Sequence, residues 1–352
     1  MFSYFKSLSK GKGKRASVVQ QDGAATPKRS STSKPSASQD GKDISPLQDA
    51  SQIDILFLQD TTGSQGPYIE AAKSAIKSIC KKITASTSIA PEAIRFGLIA
   101  FRDHPPQDNT ALAEGLNMGW EENATKMVVL ITDAPPHGIG EAGDGFDASP
   151  DQNDPLDIAR QMAERGITLF VVACEPELSG YRNAVDFYTA LTEITGGKMF
   201  PLTMADRLGD YIAGTAVETI ETEKLISEYK ASIVEDVYGQ SRPLEEVMEE
   251  VHNKLKERGV KMNKMEVENV YNTSATTEDN VANWKKAVRV GDGKGKVADV
   301  DYPRMQEEYS SGARAPTVAL TEGTVEYAQA KRVVMQSVMR SSKVTASGMV
   351  KR

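Results

Sequence analysis

Cysteine, histidine and long hydrophobic runs are all scarce in this sequence. Only two cysteines, Cys80 and Cys174, and three histidines occur among the 352 residues. Both cysteines lie in apolar runs, which favours buried free thiols over a disulfide. No Cys/His cluster has the spacing of a zinc site, and no apolar stretch approaches the roughly 20 residues that a transmembrane helix needs. These absences argue against a disulfide-stabilised, zinc-binding or membrane-spanning protein.

An excess of basic residues is also lacking. The formal net charge is -7, which argues against a general nucleic-acid-binding protein, because such domains are normally basic. The N-terminal residues contain no continuous hydrophobic segment followed by a small-residue cleavage site, so we expect no secretory signal. The sequence therefore predicts a cytoplasmic protein.

The composition divides the chain into three regions. Residues 1–50 are rich in Ser, Lys, Gly, Gln and Pro, and such a segment buries too little apolar surface to offset its ordering entropy, so we expect a disordered tail. In residues 51–220, short apolar runs alternate with patterns of helical spacing. This alternation predicts an α/β fold with a doubly wound, mostly parallel sheet. The apolar runs are at 53–60, 95–101, 127–133 and 167–174, with a short edge strand at 198–202.

Residues 221–352 predict a helical and partly disordered C-terminal region. One helix is expected within 243–259, where five apolar residues form a stripe that indicates a packing face. These residues are Leu244, Val247, Met248, Val251 and Leu255. A last amphipathic helix is expected within 325–340, and we expect it to dock on this chain or on a partner.

Polar side chains follow three of the predicted strands. Asp60, Thr62 and Ser64 follow the first strand, and Asp133 ends the third. Ligands of parallel sheets bind beyond the carboxyl ends of the strands, and a hard cation such as Mg²⁺ takes oxygen ligands. The alternative is that Asp60 and Ser64 only cap the following helix. Three further side chains near these strand ends, Asp103, His104 and His137, are either solvated or close to the same site.

The run IDILFLQDTTGS resembles the first strand and Asp-x-Ser/Thr-x-Ser motif of von Willebrand factor type A domains, and VVLITDAPPHG resembles their later strand with its metal-site aspartate. The stretches QDTTGS, FRDH and ITDAPPHG are most similar to the A domains of fungi and slime moulds, some of which accompany an alpha-kinase domain. The resemblance covers residues 51–220. It implies that Asp60, Thr62, Ser64 and Asp133 hold Mg²⁺, or another divalent cation such as Mn²⁺, directly or through water. It also implies that an acidic side chain of a partner protein occupies an open coordination position.

The sequence departs from this family after residue 104. An antiparallel edge strand and a further metal-facing loop are expected there, but only a short connector is present. Asp108 and Thr110 lie in this connector outside any matching motif. The alternative hypothesis is therefore a scaffold protein with a degenerate metal site that acts through its C-terminal amphipathic helices.

Enzymatic readings fit poorly. Haloacid-dehalogenase-type phosphatases need a second Asp two residues after the nucleophile, where Thr62 stands here. No phosphate-binding loop follows the first strand, and no Gly-x-Ser-x-Gly motif occurs. An alpha-kinase would need a glycine-rich nucleotide loop before a lysine-bearing strand, and cysteines for its zinc site. The region after residue 220 lacks both features. We therefore expect a binding protein rather than an enzyme.

Overall fold

A computed structural model describes residues 52–87, 89–102, 111–149, 153–341, 343–344 and 350–351. The N-terminal tail predicted at 1–50 lies outside the described residues. Among the described helices, none is long and apolar enough to cross a membrane.

A parallel sheet of five strands forms the centre of the fold, which confirms the predicted α/β class. Its strand order is β2-β1-β3-β4-β5, and every neighbouring pair is parallel. Strands β1 and β4 are buried along their whole length, as expected for strands covered on both faces. The strands are β1 (Ile53–Asp60), β2 (Ile94–Phe101), β3 (Thr125–Thr132), β4 (Ile167–Cys174) and β5 (Met199–Leu202).

Helices cover both faces of this sheet. Successive strand residues point to opposite faces, so the sheet contributes to two separate cores. One core contains the even-numbered residues of β1 and β3 and the odd-numbered residues of β4. These residues pack on α2, α3, α4, α7 and α8. The other core contains the alternate residues, packed on α1 and α5. The helices are α1 (Gly66–Ser86), α2 (Ala111–Leu116), α3 (Pro155–Glu164), α4 (Ala184–Thr195), α5 (Leu208–Val234), α6 (Leu244–Glu257), α7 (Ala275–Lys286), α8 (Val290–Lys294), α9 (Glu307–Ser310) and α10 (Tyr327–Met339).

The C-terminal region packs on this core through α5, which continues well beyond residue 220. The predicted stripe of α6 is buried with residues of α5 and α10 in a third apolar cluster. Strand β6 (Lys261–Val267) pairs with β7 (Val318–Thr324) and lies across α5. The backbone N–H groups of Asn263 and Met265 in β6 donate to the carboxylates of Glu221 and Glu218 in α5.

Residues 272–324 contain more regular structure than their polar composition suggested. Helix α7 begins with a capping box in which Ser274 and Thr277 exchange hydrogen bonds between side chain and backbone. Its Trp284 is fully buried in the core beside α4. Short elements complete the chain: one-turn helices at Gly63–Gln65, Pro91–Ala93, Leu178–Gly180 and Ala205–Arg207, a π-helical turn at Glu235–Gly239, and the strands Lys343–Val344 and Val350–Lys351.

Candidate metal centre

Two buried aspartates lie at the carboxyl edge of the sheet, at the ends of neighbouring strands. Strands β1 and β3 are parallel neighbours, with Gln59 opposite Ile131, so their ends lie together. Asp60 is the last residue of β1 and Asp133 directly follows β3. Their exposed fractions are only 3% and 8%. The sheet register therefore brings together the two carboxylates that the sequence singled out.

Neutral donors hold the carboxylate of Asp60 in place. Its Oδ1 accepts a hydrogen bond of 2.8 Å from the backbone N–H of Thr62 and another of 2.8 Å from the Thr62 hydroxyl. Its Oδ2 lies 3.3 Å from the hydroxyl of Thr132. The carboxylate is thus oriented without any of these donors neutralising its charge.

The surroundings disfavour the ionised form of Asp60. Burial raises its pKa most, and the hydrogen bonds from Thr62 act in the opposite direction; the negative charge of Asp133 raises the pKa further. Burial also raises the pKa of the Cys174 thiol and the Tyr188 phenol, with Asp60 and Asp133 adding to both effects. A divalent cation held by these carboxylates would offset part of this electrostatic penalty.

Two further side chains, which the sequence did not single out, belong to the surroundings of these carboxylates. Thr132 accepts the N–H of Ala134 at 3.2 Å and lies 3.0 Å from the Ala134 carbonyl. Tyr188 on α4 donates to the same carbonyl at 2.9 Å. Thr132 could have been noticed as a hydroxyl at the end of an apolar strand, directly before Asp133. Tyr188 had no sequence signal, because it is 55 residues from Asp133 and lies in a helix.

The capping alternative for Asp60 is not what the structure contains. Its side chain bonds to Thr62 within the loop, and neither the turn Gly63–Gln65 nor α1 has a side-chain hydrogen bond at its N-cap. The backbone of Ser64 lies in that turn, whereas its side chain is outside the described part.

The remaining candidate site residues lie either in another hydrogen-bonded loop or outside the described residues. His137 lies with Nδ1 3.0 Å from Oδ1 of Asp144, whose other oxygen accepts the N–H of Gly138, so the histidine belongs to a hydrogen-bonded loop. Four other candidates, Asp103, His104, Asp108 and Thr110, lie outside the described residues. Within the described ranges, β2 is the last strand on its side of the sheet.

The donor set suits a hard cation. It combines two carboxylates with threonine hydroxyls, and Mg²⁺ commonly uses one or two carboxylates while keeping several waters. No group of three or more His, Cys, Asp or Glu side chains capable of holding a metal occurs in the described part of the chain. Carboxylates and hydroxyls are thus the ligand types that Mg²⁺ or Mn²⁺ takes in a water-rich site.

No protein-family model, curated protein or solved structure matches this chain.

Proposed function

We propose that this chain is a metal-dependent protein-binding module, of the adhesion or scaffold kind and without catalytic activity. Asp60, Thr62, Ser64 and Asp133 would hold Mg²⁺ or Mn²⁺ at the carboxyl ends of the strands. The observation that carries this proposal is the pair of buried carboxylates at the ends of β1 and β3. The sequence resemblance to von Willebrand factor type A domains supports the same assignment.

Each protein group has a defined task in this proposal. Asp60 and Asp133 supply the negative charge, and the backbone N–H of Thr62 keeps Asp60 oriented. The Thr62 hydroxyl donates to Asp60 and would offer its oxygen lone pair to the cation. A bound cation would supply an electrophilic position for an acidic side chain of the partner. Two carboxylates would balance the charge of a divalent cation without exceeding it, so an open coordination position would stay electrophilic toward a further oxygen ligand.

The alternative, a scaffold acting through its C-terminal helices, is less well supported by the packing. The stripe of α6 and the apolar side of α10 contribute Val247, Met248, Val333 and Val334 to one buried cluster with α5. These faces could contact a partner only if the helices separated. At the strand ends, Asp60 and Asp133 are buried, but Thr62 is half-buried and Gly63 is exposed, so this edge of the sheet reaches the surface.

Calorimetric titration of the full chain with Mn²⁺, and then with Mg²⁺, tests the metal site. We expect saturable binding of one ion that Asp133→Asn abolishes. The matched control is Asp54→Asn, because Asp54 is a buried carboxylate on the same strand as Asp60, roughly 20 Å away at the other end. Asp54 is neutralised by two 2.6 Å hydrogen bonds from Arg95, so its loss should leave Mn²⁺ binding intact.

The second part of the proposal concerns the open coordination position. Water-proton relaxation of the Mn²⁺ complex reports the number of exchanging waters on the ion. Addition of a peptide carrying one Glu should reduce this relaxation, and the matched peptide carrying Gln should not. Absence of Mn²⁺ binding would refute the metal site, whereas binding without any response to the Glu peptide would refute only the adhesion mechanism.

A further inference from the structure

Strand β2 has an open edge. Among the described strands it pairs with β1 alone. The carbonyl of Phe101 accepts the N–H of Thr61, so the odd-numbered residues of β2 direct their backbone groups toward β1. The even-numbered residues therefore direct theirs away from the sheet. These are Ile94, Phe96, Leu98 and Ala100.

The side chains of these residues make the open edge apolar. Leu98 is 60% exposed, more than any other described large hydrophobic residue. Ala100 is also exposed and Phe96 is half-buried. All three lie on the same face of the strand, because they are two residues apart. An exposed Leu alone is ordinary, but here it lies beside backbone donors and acceptors that pair with no described strand.

In the described part of the chain, strand β2 itself lacks the features that usually protect an edge strand. Edge strands are commonly short, bulged, or supplied with Pro or charged side chains. Strand β2 has eight residues, no Pro and one charged residue, Arg95. The Arg95 side chain pairs with Asp54 of β1 and with Glu121, so its charge is already balanced within this chain. The edge is therefore suited to pair with another strand.

We propose that the partner strand is β2 of a second copy of this chain. The two strands would pair antiparallel about a two-fold axis at Leu98 and join the five strands of each copy into one continuous sheet. Leu98 then faces the same residue of the second copy, and Phe96 faces Ala100, so that a large side chain meets a small one on each side. Arg95 faces Phe101, so no like charges meet. Such a surface is self-complementary, as a two-fold interface requires.

The chain itself offers poor alternatives. The connector that follows β2, DHPPQDNT at 103–110, has two adjacent prolines and no aliphatic side chain. Proline cannot donate to a strand ladder, so this sequence is unsuited to the open edge. In residues 1–50 the only aromatic cluster is at Met1–Phe5, and its pairing with β2 is the outcome that the experiment must distinguish.

Sedimentation equilibrium of the full chain over a range of concentrations tests the proposal. We expect a reversible dimer, and Leu98→Lys should raise its dissociation constant roughly tenfold or more, because it places two like charges opposite each other. Leu98 is largely exposed, so folding should be unaffected. The matched control is Leu320→Lys, since Leu320 is 40% exposed on the edge strand β7. This control should dimerise like the wild type.

Hydrogen exchange identifies what covers the edge. In a β2-mediated dimer, the amides of Phe96, Leu98 and Ala100 should be protected more strongly as the protein concentration rises. A monomer at all concentrations would overturn the proposal. Protection of these amides that is independent of concentration would mean that the chain's own residues cover β2, and loss of the dimer only in Leu320→Lys would place the interface elsewhere.

Discussion

Replacement of Asp60 by Asn should have opposite effects on stability with and without a divalent cation. Asn keeps the geometry of the site: its Oδ1 can accept both hydrogen bonds from Thr62, and its amide can donate to the Thr132 hydroxyl, 3.3 Å from the present Oδ2. The substitution removes the buried negative charge of Asp60, which is unfavourable because burial, and in addition the charge of Asp133, raise the pKa of this carboxyl. In EDTA at pH 7 the variant should therefore be at least as stable as the wild type.

In Mg²⁺ the order should reverse. A ligand that binds only the folded state stabilises it by about 2.7 kcal/mol at one hundred times its dissociation constant. For a folded unit of this size, that corresponds to a rise of roughly 5 °C in the melting temperature. The wild type should gain this increment, and Asp60→Asn should gain little or none.

Thermal unfolding followed by circular dichroism, in EDTA and at increasing Mg²⁺, measures both effects in one series. Asp54→Asn again serves as the control, because it removes a buried carboxylate that has a cationic partner and should lose stability equally in both conditions. Strong destabilisation of Asp60→Asn in EDTA would contradict this account. So would a variant whose melting temperature rises with Mg²⁺ as much as that of the wild type.

Three further substitutions test the packing around the sheet. Arg304→Met should lower the free energy of unfolding, measured in urea, by about 3–5 kcal/mol, because Arg304 and Asp186 form a buried ion pair and Asp186 would lose its cation. Equal losses in Arg304→Met and in the double variant that also carries Asp186→Asn would contradict this account. Gly197→Ala should cost about 4 kcal/mol or more, since a Cβ would lie 1.8 Å from a backbone carbonyl of β4, whereas Gly180→Ala, with open space around it, should be nearly neutral by the same measurement. Burial raises the pKa of Glu175 above its ordinary value of 4.5. The stability that the protonated carboxyl contributes is therefore fully present below this pH and is lost as the pH rises through the folded-state pKa. The stability of the wild type relative to Glu175→Gln should fall between these two pH values, and a constant difference would exclude this explanation.

The sequence predicted the central sheet well because its signal is local. Strands β1 and β4 are continuous apolar runs, and such runs indicate burial on both faces whatever their partners are. The ends of elements were predicted less accurately. Helix α5 extends to Val234, and its second half buries Leu225, Ile226 and Ile233 against α6 and α10. Its Glu218 and Glu221 accept backbone hydrogen bonds from β6. A charged helix surface gives no sign of such a partner in the sequence.

The candidate centre was predictable in the same partial way. The positions of Asp60 and Asp133 followed from the rule that parallel strands end at the same edge, and the structure places both carboxylates there. Their role as metal ligands stays a prediction. The contacts of Thr132 and Tyr188 could not be predicted, since they depend on the register of β1 against β3 and on how α4 packs.

The docking of the C-terminal region decides which surfaces are left for a partner. Glu218, 3% exposed, accepts hydrogen bonds of 2.7 Å from Lys198 and 2.8 Å from Arg332, so the sheet, α5 and α10 meet at one buried charge cluster. Burial acts to raise the pKa of Glu218, but Arg332 and Lys198 together lower it. Separation of α10 would leave this carboxylate with a single cation in a buried setting, which is costly. The C-terminal helices are therefore part of the folded core, which leaves the strand ends and the open edge of β2 as the surfaces for the proposed partners.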